Sequence, residues 1–404
     1  MTIRISKAFF LQFMILFSLF FVILNLHFVQ SLGFLTHDLH EQLTGEEAVS
    51  DSTPYDVNGT DLGIIVKHTG KYYYIFGDTF GCGYYLGNNW RSNTIAYSAD
   101  SDPSDGITLD GWILNPTTGY AKELISSAKL DYIEMTCIPT TAVSLNGNIY
   151  IYYMSVKHWG AIGGNWDCNN ASIAVSIDNG QTFTKMDNIS WSGDSNFIQF
   201  GVAQKSDTLT PEDYLYLLST PSGRFGSCYL CRVTHEDILD KSGYEYFSGL
   251  DVTENPLWVS SESDAVTIFS SPVGELSLMW NEFLNKWTVY YFDNTQLAIV
   301  VSSADNLWGP WSSTQKIVGA IEYPSLYGSF VHPNLIENNG QTVYFVMSIF
   351  SVYNTFIMSV DLTPLTATKT INYPNFSLFI IGFSSIFGVL VIIKNYKKKS
   401  LIYV

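Results

Sequence analysis

The sequence predicts an all-β protein, a five-bladed β-propeller flanked by an N-terminal signal peptide and a C-terminal transmembrane helix. Three observations lead there. Between residues 61 and 361 no convincing amphipathic helical pattern occurs, and short aromatic or β-branched segments are separated by Gly, Asn, Asp and Pro. A tyrosine-rich strand followed by a more aliphatic one recurs five times in that stretch. Both ends of the 404-residue chain are apolar and carry bases but no acids.

Taken in chain order, residues 1–31 place Arg4 and Lys7 before an apolar run from Ala8 to Leu26, with Val29 and Ser31 where small residues flank a cleavage site. That is a signal-peptide pattern; the run is long for one, so an uncleaved signal anchor is the alternative. Residues 32–54 read as a lead-in to a propeller over 55–365, and 366–375 as a juxtamembrane linker. Residues 376–393 hold no charge over 18 positions, about the shortest run able to cross a bilayer core as a helix. Lys394, Lys397, Lys398 and Lys399 follow in a short tail, 394–404, and lysines hold their flank in the cytoplasm. The expectation is a single-pass type I protein of the plasma membrane or an endolysosomal membrane, its bulk extracellular or lumenal. On that topology Asn58, Asn170 and Asn188 are glycosylation acceptors.

Within the propeller region the tyrosine-rich strands fall at 72–79, 149–156, 213–220, 286–293 and 342–349. Aliphatic partners follow at 95–100, 173–178, 229–234, 299–305 and 357–362. A first strand precedes each pair, at 61–68, 139–146, 200–206, 275–283 and 330–338. One small meander cannot bury its faces alone, whereas five packed face to face around an axis can. A pair of β-sandwiches is the alternative, but it has no need of the same strand pair five times. The run from Ser176 through Asp178, Gly180 and Thr182 to Phe183 fits the Asp-box turn of sialidase-type propellers, a structural motif in which Asp and Gly close a hairpin over the aromatic.

Charge narrows the partners. The chain has 20 Lys+Arg against 37 Asp+Glu, and the two ends take six of the bases, so the middle keeps 14 against every acid. Such a surface repels phosphate backbones and argues against nucleic acid as a partner. The five cysteines are an odd number, so at least one thiol has no partner within the chain. Cys228 and Cys231 have CxxC spacing, but on a strand they point to opposite faces, and no second pair or histidine spacing accompanies them. Neither a metal nor a cofactor is expected.

The stretch YYYIFGDTFGCGYYLGNNWRSNTIAYS, residues 72–98, carries the chemistry. Asp61 opens the first strand of the first meander and Asp78 closes its second, so one blade offers two acids near one rim. Glycines at 81, 83 and 87 let a loop fold tightly past Asp78 and return with Trp90 and Arg91. A pair of carboxyl groups, an aromatic and an arginine in a funnel suit glycosidic bond cleavage: one acid protonates the leaving oxygen, and the other activates water or attacks the sugar carbon. Capping of a turn by Asp78 and of a strand start by Asp61 are the plain alternatives. Glu134 and Glu275 are reserve acids, since burial would raise either carboxyl pKa toward that of a general acid. Arg91 serves equally as a clamp on a neighbouring carboxylate, and the tryptophans equally as core.

The run GDTFG…WRSNTIAYS resembles the signature of the domain of unknown function 4185 family. IPTTAVSLNGNIYIYYMSVKHWG, AVSIDNGQTF, GELSLMWNEFLNKWTVYY, LWGPWS, YGSFVHPNL and YFVMSIFSVYNTFIMSVDL follow in order, so the likeness covers about residues 55–362. The resemblance implies a five-bladed propeller, in a family some of whose bacterial members are endo-D-arabinanases cutting D-arabinofuranosyl chains. It implies that Asp61 in DLG and Asp78 in GDTF are the catalytic acids. Arg91, His158, Trp159, Trp280 and His332 fall in the family's other polar or aromatic motifs and join Trp90 as candidate sugar-binding residues.

The expected function is a membrane-anchored hydrolase of furanoside-type glycans. The alternative is a catalytically silent carbohydrate-binding or adhesion propeller, because propellers host both. A sialidase-like enzyme would need three arginines to grip a carboxylate; Arg91, Arg224 and Arg232 are the only ones between 61 and 362, and Arg232 lies in an outer-strand pattern.

Overall fold

The computed structural model describes residues 34–363, apart from 82–86, 206–207, 210–213 and 271. The expected signal peptide, juxtamembrane linker, transmembrane segment and lysine tail lie outside the described residues, as does Cys82. Among the described residues no helix is long and apolar enough to cross a membrane; the helical turns there are four short 3-10 ones.

Five antiparallel meanders follow one another. Blade 1 comprises Gly59–His68, Lys71–Phe80, Thr94–Ser98 and the two-residue Gly111–Trp112. Blade 2 is Thr136–Leu145, Asn148–Trp159, Trp166–Ser176 and Thr184–Ser192. Blade 3 runs Gln199–Lys205, Tyr214–Thr220, Tyr229–Thr234, Glu245–Leu250 and Pro256–Val259, and blade 4 runs Leu276–Asn281, Lys286–Asp293, Ala298–Ala304 and Gln315–Gly319. Blade 5 takes Leu326–Glu337, Thr342–Ile349 and Asn354–Asp361 from the C-terminal side. Its outermost strand is Thr36–Gln42, paired antiparallel to Asn354–Asp361. The stretch read as a lead-in therefore locks the ring: the last blade cannot open without stripping the first strand.

The five first strands are innermost and neighbour one another in a closed cycle, blade 1 to blade 5 and back to blade 1. Blades 3 and 4 go further, with parallel pairing of Ala203 to Leu278 and Gln204 to Met279. Each blade is covered on both faces by its neighbours, which is why the second strands read as unbroken apolar runs instead of alternating. Nine of ten residues in Lys71–Phe80 are buried. Cys231 points into the main core and Cys228 into a smaller cluster between blades 3 and 4, opposite faces of one strand region, and both are free thiols. No group of metal-ligating side chains occurs among the described residues.

The Asp-box forms the expected turn. Ser176 Oγ donates to Asp178 Oδ1 at 2.7 Å and accepts from the Gly180 N–H at 2.8 Å, while the Thr182 N–H and hydroxyl donate to the two Asp178 oxygens at 2.9 and 2.6 Å. Phe183 packs against the core beneath it. Of the glycosylation acceptors, Asn188 is exposed and Asn58 and Asn170 half-buried.

Candidate active site

All five inner strands begin at the same end of the axis, and a cavity of about 610 Å³ opens there. Strand starts supply Asp61, Ile138, Gln199, Leu276 and Tyr327; the ends of second strands and the loops after them supply Asp78, Trp159, Arg224, Asn294 and Phe350. Position along a blade thus decides which residues reach the site.

Asp61 enters it through a bulge. The pairing of Gly59–His68 with Lys71–Phe80 shifts register between Thr60 and Leu62 and again before Ile64, and Leu62 and Gly63 adopt φ of 67° and 101°. The shift sets Asp61 across from Gly77 and Asp78, where cross-strand neighbours lie about 5 Å apart. A β-carbon at Gly77 would overlap Asp61 Oδ1, so any larger residue there displaces that carboxyl group. Asp61 Oδ2 accepts the Tyr327 hydroxyl at 2.8 Å, while Oδ1 is buried with no hydrogen-bond partner. Asp78 is held differently: its Oδ1 accepts Trp90 Nε1–H at 2.8 Å and the Thr136 hydroxyl at 2.6 Å.

These surroundings separate two like groups. Burial, with the Asp78 charge next in weight, pushes Asp61 up to about 8 against the Tyr327 bond. Burial also raises Asp78, but the Thr136 and Trp90 bonds favour its anion and hold it to about 6. Asp78 loses its proton first, while Asp61 is still neutral, and the charge it leaves keeps the second proton on Asp61.

A cation completes the polar wall. Arg224 bonds Glu275 through Nε at 3.0 and 3.1 Å and through Nη2 at 2.7 Å, and lies over the Tyr327 ring at 4.7 Å. Beneath it, at 5.7 Å, is the ring of Trp166, whose indole N–H is buried without a partner. Asp61 and Trp166 both line the cavity, and each keeps a buried polar atom without a hydrogen-bond partner in its wall.

The residues singled out from the sequence divide cleanly. Asp61, Asp78, Trp90, Trp159 and Glu275 line the cavity. Arg91 does not: it is 4% exposed, donates to the carbonyls of Ala121 and Asp56, and clamps the first blade's outer loop. Glu134 lies outside, bonded to Ser155 at 2.9 Å and Lys185 at 3.2 Å; burial opposes its ionisation, but these partners outweigh it and lower its pKa. His158 stacks on Tyr132 at 4.1 Å and meets Asp131 at 2.7 Å, beside the rim but not in the cavity. Trp280 and His332 sit four and five residues down their strands from Leu276 and Tyr327. At about 3.3 Å per residue Trp280 lies more than 10 Å beyond Leu276, while His332 follows by two residues Phe330, which still lines the cavity. Trp280 packs against Trp287 and Lys205 there, and His332 against Tyr72.

Arg224, Tyr327, Thr136 and Gln199 had not been marked for the site. Gln199 Nε2 donates to the carbonyls of Pro221 and Gly223 at 3.0 and 2.7 Å, fixing the loop that presents Arg224.

A solved structure shares this fold. A candidate hydrolase from Bacteroides ovatus ATCC 8483 is 14% identical over 76% of this chain and 86% of its own, with a TM-score of 0.53. Weaker likenesses are to a GH43_1 enzyme from Xanthomonas citri, with 12% identity, 78% and 90% coverage and a TM-score of 0.44, and to an exo-β-1,3-galactanase from Phanerochaete chrysosporium, with 11%, 81% and 65%, and 0.48. Among curated proteins none matches the chain. The family described as Domain of unknown function (DUF4185) matches residues 48–359, a span that takes in every inner strand from Asp61 to Tyr327, and the protein belongs to that family.

Proposed function

We propose that the protein is a glycoside hydrolase acting on furanoside-type glycans, with Asp61 as proton donor and Asp78 as its ionised partner. The observation that carries this reading is the inequality of the two carboxyl groups. Near neutral pH the donor must hold a proton and its partner must not, and the raised values of about 8 and 6 bracket that range. The Tyr327 hydroxyl holds the Asp61 carboxyl group in the cavity wall, and that group carries the proton. From there it passes to the leaving glycosidic oxygen as the bond from the anomeric carbon to that oxygen breaks. Asp78, its charge supported by Trp90 and Thr136, takes a proton from the attacking water or adds to the anomeric carbon itself.

Furanosides are favoured because some bacterial members of the family are endo-D-arabinanases that cut D-arabinofuranosyl chains. The basic, apolar ends of the sequence favour an extracellular or lumenal propeller tethered by the C-terminal segment. The test is release of sugar from a panel of arabinans and other glycans by the full-length chain, by Asp61→Asn and by Asp78→Asn. Each variant should lose about 10²- to 10⁴-fold in rate. Saturable binding without release by the unaltered protein would make it a carbohydrate-binding propeller instead.

A further inference from the structure

The cavity is chemically lopsided. Its charged groups form one connected set: Asp78 beside Asp61, Asp61 bonded to Tyr327, Tyr327 under Arg224, and Arg224 paired with Glu275. They come from blades 1, 5, 3 and 4. Blade 2 contributes a wall with no charge at all, built of Met135, Ile138, Pro139, Met154, Trp159 and Ile162. The polar side chains that blade 2 adds do not soften it. Thr140 Oγ1 donates to the Tyr152 carbonyl at 3.2 Å and accepts the Phe200 N–H at 3.3 Å, so its hydroxyl is spent on backbone. Asn165 lies at an exposed turn, and the Trp166 N–H sits under Arg224, on the charged side. At the mouth the wall continues into solvent, with Ile162 66% and Trp159 36% exposed.

From this we propose that the substrate is a glycoside with a hydrocarbon aglycone: one sugar residue in the charged niche, and an alkyl or isoprenoid chain along the wall of blade 2. The inference rests on the hydrolase reading and specifies what that site takes. A second sugar residue on this wall would meet one ring face, Trp159 at the mouth, and beyond it would bury several hydroxyls against the methyl, methylene and thioether groups of Met135, Ile138, Pro139 and Met154, which cannot bond them; each unmet hydroxyl is unfavourable. A hydrocarbon chain on the same surface gains with every methylene removed from water. The sugar-facing requirement, donors and acceptors fixed by neighbours, is met only at the Asp61–Glu275 side.

The experiment uses the full-length chain and D-arabinofuranosides of both anomers carrying methyl, butyl, hexyl and octyl aglycones, each below its micelle concentration. kcat/KM should rise by about two- to fourfold per methylene until the wall is covered. Met154→Gln, close to Met in volume, should flatten that slope while its melting temperature reports that it folds. The same sugar on a dialkyl lipid in phosphatidylcholine vesicles separates a membrane lipid from a soluble amphiphile; turnover of the lipid, or of the soluble series with the rising slope, supports the proposal. Equal kcat/KM from methyl to octyl would overturn it and leave hydrolysis standing. If no glycoside is cleaved, calorimetric titration with the same series decides: affinity rising with chain length retains the apolar subsite and removes the hydrolase, and affinity independent of chain length removes both.

Discussion

The Tyr327 hydroxyl lies 2.8 Å from Asp61 Oδ2 and joins the last blade to the first at the carboxyl group proposed as proton donor. Because this bond favours the Asp61 anion, removing it pushes the Asp61 pKa further up. Tyr327→Phe should therefore move the alkaline limb of the kcat/KM profile above its position near pH 8, and lower kcat by about tenfold or more as the donor loses its orientation. A fall in kcat with an unmoved limb would make Tyr327 a packing residue only.

Thr136 and Trp90 act on the other limb. Both donate to Asp78 Oδ1, and hydrogen bonds to a charged group are worth about 1.5–3 kcal/mol, or roughly one to two pKa units. Thr136→Val keeps the shape and deletes the hydroxyl. The acid limb, near pH 6 in the unaltered protein, should climb by about one unit while the alkaline limb holds still. A pH profile of the variant at substrate concentrations below KM reads this directly.

Gly77 makes the acid pair possible sterically. A methyl there would strike Asp61 Oδ1 and crowd the Leu62 side chain at 3.1 Å. Gly77→Ala should cost about 1–3 kcal/mol in stability, as overpacking does, and abolish most turnover by displacing Asp61. Chemical denaturation with a parallel rate assay separates the two effects; an alanine variant with full activity would show that Asp61 need not stand where it does.

Much of this was legible in the sequence because the fold repeats. The strand segments recurred in register, so the blade count and the inner position of each first strand followed from spacing, and with them the shared rim for Asp61 and Asp78. What spacing did not give was depth. Trp280 and His332 sit on inner strands as expected, yet far down them, and only a residue's distance from the strand start tells rim from floor. The repeat also holds two residues not singled out: Tyr327 stands near a strand start as Asp61 and Glu275 do, and Arg224 follows a second strand as Trp90 does. Arg91 and Glu134 were out of reach, because their partners Asp56, Ala121, Ser155 and Lys185 are set by loop paths that leave no periodic trace. The same holds for the outer strands, Gly111–Trp112 and Thr36–Gln42 above all, which are short or polar.

Stability should rise on acidification. Glu41, on the strand that closes the ring, accepts the Ile107 N–H in a buried site; burial raises it to about 7 despite that bond, and the charges of Asp100 and Asp105 add to the rise. Asp61 and Asp78 are raised as well. For a group whose folded pKa exceeds its unfolded value, the native state binds the extra proton, so the stabilisation is complete below the unfolded value near 4.5 and is lost as pH rises through the folded one. All three act in one direction, and the melting temperature should fall between pH 5 and pH 8. Glu41→Gln, which still accepts from Ile107, should remove its share of that slope, of order 2 kcal/mol. A melting temperature that is flat or rising over the range would contradict the assignment.

Arg224 and Glu275 test whether the cation serves the acid pair or only its own partner. The pair is largely buried, with side chains 19% and 11% exposed, so deleting Arg224 alone leaves Glu275 as an uncompensated charge. Arg224→Met should cost about 3–5 kcal/mol, and replacing both partners, as Arg224→Met with Glu275→Gln, should recover most of it. Stability alone does not separate the roles, because a purely structural ion pair behaves the same way. The pH profile does. The Arg224 charge lowers the Asp61 pKa and the Glu275 charge raises it. Arg224→Met should therefore carry the alkaline limb upward, and the double variant, having lost both charges, should bring it back toward its original position. If stability recovers in the double variant while the limb never moves in either, Arg224 is a brace for the loop after Thr220 and takes no part in setting the proton on Asp61.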